Sequence, residues 1–383
     1  MPHLPHHRPD ERRRLKALLL SGASILMLAP RRVGKTWLLQ KIDDDMTAAG
    51  WLCVRIDVEG IESEEDFLRT LCRGIEGKQD IAKTLLAQLT QRFKQVSVEI
   101  GPTGLVGAIG KVNHREFIET LVASLDGENR KTLILIDEIA LYVLRRARQD
   151  AESTRSLLYH LRKLQQKYRN VQWFLTGSVG LDVVARRHDM LGAIVDYDAF
   201  PLEPFSEEVA LSYIGELVGQ NLVGAPFDFA DGAFEHLVRE LGWLSPYHLR
   251  HIALQIKPTE NLGMGAGRRF AAIADVDRAM EKLLSVPFRF HFAVWEEHIK
   301  KNFDVVESNH LKAILAIASE TSAGEIEATF LSRLSRRYPN FGARALRDML
   351  SCLAADGYLV NVDGRWKFQS GLLRRYWRKY IAE

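Results

Sequence analysis

The sequence predicts an α/β fold, in which a parallel sheet is sandwiched by helices, followed by a helical region and a C-terminal winged helix. In the first half of the chain, short apolar runs alternate with helix-like segments. Strands that alternate with helices in this way form parallel sheets with helices packed on their faces. From about Pro204 the pattern becomes helical, and the chain closes with three helical segments and a hairpin.

Each predicted strand is a short apolar run that ends at polar or turn-forming residues, which is typical of a buried parallel strand. The first helix is amphipathic, and the helix over 67–75 follows acidic residues that favour a helix N-terminus. The strands are predicted over 25–29, 52–58, 132–138 and 171–177, and the helices over 11–20, 35–47, 67–75, 114–125 and 151–168. Residues 85–113 predict a hairpin-like insertion of unknown purpose, because an alternating run is followed by several glycines.

The loop after the first strand reads Ala29-Pro30-Arg31-Arg32-Val33-Gly34-Lys35-Thr36, followed by Trp37. A loop between a strand and a helix can bind phosphate, because its backbone N–H groups and the helix dipole favour negative charge. Lys35 would reach the β- and γ-phosphates of a nucleotide, and Thr36 would place its hydroxyl on Mg²⁺. The pattern G-x-x-x-x-G-K-[ST] begins with glycine, and Ala29 fits there because the end of a strand supplies an ordinary negative φ. The alternative is a β-α turn with a surface lysine.

A second motif lies far downstream, where an apolar run over 132–136 ends in Asp137 and Glu138. Adjacent buried carboxylates repel one another and lose hydration, so they are costly without a cation. Asp137 is placed to hold Mg²⁺, directly or through water, and Glu138 to polarise the attacking water as general base. A strand that merely ends at the surface is the alternative, but the upstream phosphate loop favours a nucleotide site with Walker A and Walker B motifs.

The strand over 171–177 ends in small polar residues, with Thr176 as its last polar side chain and Ser178 just beyond it. In P-loop ATPases a small polar residue beside the acidic strand can hydrogen-bond the attacking water or the γ-phosphate. Either residue is therefore a candidate sensor. Ordinary turn chemistry is the alternative, since Gly-Ser sequences favour turns.

The composition fits two or three domains, with 383 residues of which 46% are hydrophobic. The formal net charge of +3 is too weak to indicate nucleic-acid binding by itself. Three widely separated cysteines suit a reducing compartment and predict no zinc site. No targeting or transmembrane segment is recognised, so a cytoplasmic protein without a membrane partner is expected. His3, His6 and His7 could bind a metal ion, and a disordered histidine-rich tail is the alternative.

The C-terminal part predicts a winged helix. Its three helical segments cover 310–319, 325–337 and 342–355, and its hairpin covers 358–368 with an Asp-Gly turn. On DNA, Arg344 and Arg347 of the third helix would enter the major groove, while Arg365 and Lys367 on the wing would contact the backbone. Alternatively, the domain transmits the nucleotide state within the chain or binds a protein partner.

Together these motifs resemble the archaeal-type ATPases, a group in the STAND branch of the AAA+/ASCE P-loop NTPases that is similar in layout to origin-recognition and loader ATPases. The residues that carry the resemblance are Pro30 to Thr36, the Asp137-Glu138 pair, Leu175 to Ser178, Pro201 to Phe205 and Gly242 to Pro246. The resemblance covers most of the chain, from about Arg8 onward. It implies a P-loop ATPase core over 1–204, a helical lid over 205–300 and a winged-helix domain over 301–383.

The resemblance also implies further residues of an ATP/ADP site. Pro246 in the lid would lie near the adenine and ribose, and Arg8 and Pro9 would belong to an N-terminal segment that closes over the base. The family often has a Gly-Arg pair before the final strand, a candidate trans-acting arginine, but residues 191–195 contain no arginine.

Four other arginines are alternatives for stabilising charge on the γ-phosphate. They are Arg186 and Arg187, slightly upstream of that region, and Arg31 and Arg32 on the phosphate loop. Surface arginines without such a role are the commoner explanation for a pair like Arg186 and Arg187.

The expected function is an ATP-binding and hydrolysing molecular switch, which couples nucleotide state to winged-helix position and to oligomerisation. A homo-oligomer is expected because a neighbouring copy can complete the site. The alternative is a DNA-binding AAA+ ATPase of the initiator, loader or transposition-helper type, with double-stranded DNA as its partner. A scaffold that holds nucleotide without turnover is a third hypothesis, which the Asp137-Glu138 pair disfavours.

Overall fold

The structure is a computed structural model of the chain. It describes residues 5–78, 113–128, 130–178, 181–220, 222–223, 226–261 and 269–382. The predicted insertion over 85–113 lies outside these residues except for Asn113. The chain forms two compact units: a sheet unit, Asp10–Ala29 and Lys35–Leu202, and a C-terminal unit, Met1–Pro9, Pro30–Gly34 and Glu203–Glu383.

The sheet unit is built on a five-stranded sheet in which every strand pair is parallel. Its strands are β1 (Ile25–Leu28), β2 (Leu52–Asp57), β3 (Thr132–Asp137), β4 (Val171–Gly177) and β5 (Asp198–Ala199). Their order across the sheet is β2-β3-β4-β1-β5. Every residue of β3 and β4 is buried, as expected of central parallel strands. The predicted parallel α/β fold is confirmed.

Helices precede and connect these strands. They are α1 (Pro9–Leu20), α2 (Lys35–Ala48), α3 (Glu64–Glu76), α4 (His114–Asp126), α5 (Ile139–Gln149), α6 (Ala151–Lys167) and α7 (Leu181–Arg187). The helices from α3 onward bury apolar side chains in one cluster with the sheet. Side chains of Ser63, Asn113 and Asp150 accept hydrogen bonds from backbone N–H groups and cap three of them. The sequence did not predict α5 or α7. In the first half of α5 every residue from Ile139 to Leu144 is buried, so that half contains no polar position that would mark a helical period.

The C-terminal unit contains the helices of the predicted lid and of the predicted winged helix. The first group is α8 (Glu207–Gly219), α9 (Ala233–Leu241), α10 (Pro246–Ala253), α11 (Ile273–Leu283) and α12 (Phe290–Asn302), and the second is α13 (Val305–Ser319), α14 (Glu327–Arg337), α15 (Ala343–Ala355) and α16 (Gly371–Tyr380). Three short strands, β6 (Phe227–Phe229), β7 (Glu260–Asn261) and β8 (Arg269–Ala271), form a separate sheet. In this sheet β7 pairs antiparallel with β8, and β6 pairs parallel with β8.

In the last part of the chain, the helices α13, α14 and α15 precede a hairpin. Strands β10 (Leu359–Val362) and β11 (Arg365–Phe368) form an antiparallel hairpin, and β9 (Glu325–Ile326) pairs with β11. Asp363 and Gly364 both have positive φ, which matches the right-handed twist of a tight hairpin. The predicted boundary after residue 300 falls inside α12, and the three-domain division stays a prediction. Each helix among the described residues is too short or too polar to cross a bilayer.

Gly177 at the end of β4 is a position where a larger residue should destabilise the sheet unit. A Cβ atom there would lie 2.5 Å from the Cβ of Ala140 and 3.3 Å from its backbone nitrogen. We expect Gly177→Ala to lower the free energy of unfolding by about 1–3 kcal/mol in chemical denaturation, because overpacking displaces α5. Gly127→Ala is the control, since its nearest neighbours would lie at 3.6 Å. Equal stabilities of the two variants would contradict this packing argument.

Candidate functional site

The order of strands in the sheet unit brings the sequence motifs to one edge. Strand β4 lies between β1 and β3, and all three run in the same direction. The Ala29 N–H donates to the Gly177 carbonyl over 3.2 Å, which extends the pairing of β1 and β4 beyond Leu28. The carboxyl ends of parallel strands are where ligands bind in α/β proteins. Here that edge carries the start of the phosphate loop, Asp137 and Thr176.

Asp137 accepts hydrogen bonds from side chains on two other elements. Its Oδ2 accepts from Thr36 Oγ1 at 2.8 Å, and its Oδ1 accepts from Thr176 Oγ1 and from the Glu138 N–H at 3.1 Å. Asp137 is only 5% exposed, so these donors compensate for the lost hydration of its charge. The threonine hydroxyl and carboxylate oxygens are hard ligands of the kind that Mg²⁺ prefers. The residues predicted to hold Mg²⁺, Thr36 and Asp137, are therefore in direct contact and fit that ion.

Glu138 is held by its backbone and by a neighbouring serine. Its φ of 58° lies in the left-handed region, which is uncommon for a residue with a side chain and marks a position of backbone strain. Its Oε2 accepts hydrogen bonds from Ser178 Oγ at 2.8 Å and from the Ser178 N–H at 3.2 Å. The two candidate sensors thus contact different carboxylates, Thr176 with Asp137 and Ser178 with Glu138. The sequence had offered Thr176 and Ser178 as alternatives for one sensor role and did not distinguish between them.

Lys35 begins α2 and is nearly buried, with 5% of its surface exposed. Its Nζ donates to the Ala29 carbonyl over 2.8 Å, so the ammonium group folds back on the first residue of the loop. Asp57, which ends β2, is paired in register with Asp137. Burial raises the pKa of the Asp57 carboxyl, and the nearby Asp137 charge raises it further. Asp57 was not predicted as a site residue, although an acidic residue near the end of the second predicted strand is a visible signal.

Residues Pro30–Gly34 of the loop belong to the C-terminal unit, where Arg8 forms a hydrogen bond with one of them. The Arg8 guanidinium donates to the Val33 carbonyl over 3.0 Å and to the Glu203 carbonyl over 2.8 Å. It also lies 4.9 Å from the centre of the Phe205 ring, which adds a cation–π contact. Arg8 is 4% exposed and has a φ of 51°. The N-terminal segment is therefore fixed against the phosphate loop by a buried, directional contact, and Pro9 follows as the first residue of α1.

The other side of the loop contacts the start of α10. The Arg32 guanidinium lies 4.2 Å from the centre of the Tyr247 ring, and the Tyr247 hydroxyl bonds His291 Nδ1 at 2.8 Å. A Cβ atom built on Gly34 would lie 3.9 Å from Pro246 Cγ, so the lid motif and the loop glycine are neighbours. Gly34 has a φ of 99°, a value that favours glycine. Tyr247 and His291 were not predicted, because an arginine–aromatic contact between distant segments leaves no local pattern.

Three histidines surround Tyr247. Burial lowers the pKa of His248 to about 3 and that of His251 to about 4, and it lowers the pKa of His291 as well. Positive charge from Arg32 contributes to each of these shifts. The imidazoles are therefore neutral at neutral pH, and they add no repulsion to a cationic loop.

The remaining predicted residues occupy exposed or peripheral positions. Arg186 and Arg187 are exposed at the end of α7, and Trp37 is 38% exposed in the first turn of α2. Arg344 and Arg347 are exposed on α15. On the hairpin, Arg365 is exposed and donates to the Gly324 carbonyl, whereas Lys367 is half-buried. None of these placements assigns a ligand by itself.

Comparison with solved structures supports the predicted resemblance at the level of the fold. No protein-family model matches the sequence, and no curated protein matches it. The Walker-type ATPase PABY2304 of Pyrococcus abyssi aligns with 97% of this chain and 95% of its own, at 18% identity and a TM-score of 0.65. The ORC2 protein of Aeropyrum pernix, in ADPNP-ADP complexes, aligns with 100% of this chain and 96% of its own, at 12% identity and a TM-score of 0.44. At 18% identity the likeness to PABY2304 shows the fold alone, and this chain has the fold of that Walker-type ATPase.

Loss of the Thr176 hydroxyl should lower the free energy of unfolding more than loss of the Thr132 hydroxyl, which is also buried and lies on the neighbouring strand. Thr176 donates to Asp137, whereas the equally buried Thr132 Oγ1 has no hydrogen-bond partner among the described residues. We expect Thr176→Val to cost about 1–3 kcal/mol of unfolding free energy, because it removes a donor from a buried carboxylate. Thr132→Val, an identical change in shape, should be neutral or stabilising. Calorimetry of both variants measures the difference, and a larger loss at Thr132 would refute the assignment.

Proposed function

We propose that the protein binds and hydrolyses ATP. The observation that carries this proposal is the hydrogen-bonded group formed by Thr36, Asp137 and Thr176, next to a Glu138 carboxylate fixed by Ser178. This arrangement joins a P-loop threonine to the acidic end of a central strand. A purely structural role would not require two neighbouring acids at a strand end, because their charges repel and lose hydration.

Each residue of the site has its own role in the binding and hydrolysis of ATP. The N–H groups at the start of α2 and the Lys35 ammonium bind the phosphates. When a phosphate binds, Lys35 Nζ gives up its hydrogen bond to the neutral Ala29 carbonyl and donates to a charged phosphate oxygen instead. Mg²⁺ held by Thr36 and Asp137 would neutralise charge on the β- and γ-phosphates. Glu138 orients a water and accepts its proton as general base, and the contact from Ser178 limits the carboxylate to one orientation. Thr176 keeps Asp137 aligned.

We also propose that the nucleotide state is passed to the C-terminal unit through the loop residues Pro30–Gly34. These residues contact Arg8 and Tyr247, and a Cβ atom built on Gly357 would lie 2.6 Å from the Cβ of Pro30. Gly357 immediately precedes the C-terminal hairpin. A shift of the loop on binding phosphate therefore acts on the N-terminal segment, on α10 and on the hairpin together. These contacts support a switch in which ligand binding would bias the chain between two arrangements.

A three-domain layout, with a core over 1–204, a lid over 205–300 and a winged helix over 301–383, belongs to the same proposal. So does a homo-oligomer in which a neighbouring copy supplies an arginine. Arg186 and Arg187 are suited to that role by their exposure at the end of α7. Arg32 is less suited, because its guanidinium stacks on Tyr247.

ATP hydrolysis by matched variants tests the proposal. Lys35→Ala should abolish nucleotide binding in a fluorescent-ADP titration, whereas Lys41→Ala, on the same helix, should bind normally. Glu138→Gln should bind ATP as the wild type does but hydrolyse it about 10²–10⁴-fold more slowly, since it lacks the general base. Glu152→Gln, an exposed glutamate on α6, is its control. Equal hydrolysis by the wild type and Lys35→Ala would exclude this site as the source of activity.

Duplex DNA is the alternative partner, and one observation favours it. Arg344 and Arg347 are both exposed on α15, the helix that would enter a groove, and Arg365 lies on the adjacent hairpin. Such contacts would bind phosphates, with an affinity that falls as salt rises. DNA binding and the switch are compatible, because the loop residue Pro30 packs closely against Gly357, which lies next to the hairpin.

A charge-matched pair of double variants tests the DNA alternative. Arg344→Ala with Arg347→Ala should weaken duplex binding and reduce the slope of log affinity against log salt by about 1 for each phosphate that is no longer neutralised. Lys257→Ala with Arg269→Ala removes the same charge from exposed positions outside α15 and the hairpin and should leave the slope unchanged. Fluorescence anisotropy at several salt concentrations measures both. Identical slopes for the two double variants would rule out α15 as the DNA-binding element.

A further inference from the structure

Two adjacent histidines near the N-terminus meet a glutamate of α8. A short 3₁₀ helix, Pro5–His7, packs against α8, where the side chains of His6 and His7 face Glu216. The Nε2 atom of His6 contacts Glu216 Oε2, and that of His7 lies 3.9 Å from the same oxygen. The three potential ligand atoms all lie within 4.8 Å of one another. The sequence had singled out these histidines, together with His3, which lies outside the described residues, but it gave no sign of the carboxylate.

The His6 side chain is buried and packed, and it is not part of an exposed N-terminal tail. It is 6% exposed, and its ring lies 4.5 Å from the His7 ring and 5.4 Å from the Tyr213 ring, measured between centroids. Tyr213 lies one turn before Glu216 on α8, so one helix both packs against His6 and supplies the carboxylate. These ring contacts fix the imidazole so that Nε2 is directed at Glu216. A preorganised donor set loses less conformational entropy when it binds an ion.

The donor set selects a class of ion. Two imidazole nitrogens and one carboxylate oxygen suit Zn²⁺ and its first-row neighbours, whereas Mg²⁺ and Ca²⁺ prefer oxygen ligands. Side-chain rotations bring such atoms to about 2.0–2.2 Å from one ion, the distances usual for zinc. Three protein ligands leave a fourth position for water.

We propose that His6, His7 and Glu216 form a binding site for a divalent transition-metal ion such as Zn²⁺, which fastens the N-terminal segment to α8. The segment continues directly into Arg8, whose guanidinium donates to the Val33 and Glu203 carbonyls. An ion at this site therefore stabilises the position of the residue that contacts the phosphate loop. The site is separate from Thr36 and Asp137, whose oxygen ligands suit Mg²⁺.

The test uses the full-length chain with excess Mg²⁺, so that hard-ligand sites are occupied. Zn²⁺ affinity is measured by competition with a chromogenic chelator, and Co²⁺ is added in parallel to record its visible absorption. We expect one Zn²⁺ per chain, and a loss of at least about 10-fold in affinity for His6→Ala, His7→Ala and Glu216→Gln. Zn²⁺ should also raise the melting temperature of the wild type but not that of Glu216→Gln, which keeps the shape of the side chain.

Three control variants locate the ion. Glu208→Gln removes an exposed carboxylate from the same helix, His114→Ala removes a histidine of the sheet unit, and Thr36→Ala alters the predicted Mg²⁺ site. All three should bind Zn²⁺ with wild-type affinity. The proposal is overturned if the wild type binds no Zn²⁺, or if Glu216→Gln and His7→Ala bind it as tightly as the wild type does. It is equally overturned if a control variant shows the same loss, because the ion would then lie elsewhere.

Discussion

The buried charge of Asp137 is the constraint on which the candidate site depends. A carboxylate with 5% exposure needs donors, and it obtains them from Thr36 at the start of α2 and from Thr176 near the end of β4. Those donors reach it only because β4 lies beside β3 and β1 lies beside β4. Strand order, the position of α2 and the orientation of the carboxylate are therefore linked. A change in any one of them would leave a charge buried without compensation, which costs more than most packing defects.

The phosphate loop serves two sets of contacts with different chemistry. Lys35 and Thr36 take part in the polar network of the sheet unit, where hydrogen bonds to Ala29 and Asp137 fix them. Residues Pro30–Gly34 instead form part of the C-terminal unit, through a buried arginine contact, a cation–π contact and close packing against Gly357. The proposed metal site adds a further restraint on the N-terminal segment that carries Arg8. In the proposed switch, a movement of this short loop would reach several elements of the C-terminal unit.

Much of the fold could be predicted because its signals are local. The apolar runs of β1, β3 and β4 depend on neighbouring residues alone. These strands lie close to their predicted positions. Helix α5 was missed because its first half, Ile139 to Leu144, is apolar and buried without interruption, and the two-residue strand β5 is too short to show a pattern. Motif chemistry predicted Thr36 and Asp137 as ligands of Mg²⁺, and two ligands of one ion must lie close together. The pairing of Glu138 with Ser178 was not predicted, because it depends on a left-handed backbone at Glu138.

The sequence by itself determined the alternation of strands and helices, the phosphate loop and the acidic strand end, because each is encoded by residues adjacent in the chain. It also indicated a C-terminal hairpin through the Asp363-Gly364 turn. Only the tertiary structure decided which donors satisfy Asp137, how Arg8 is bound and that Glu216 faces His6 and His7. These contacts join segments that are far apart in sequence, and nothing in the local pattern of either partner specifies the other.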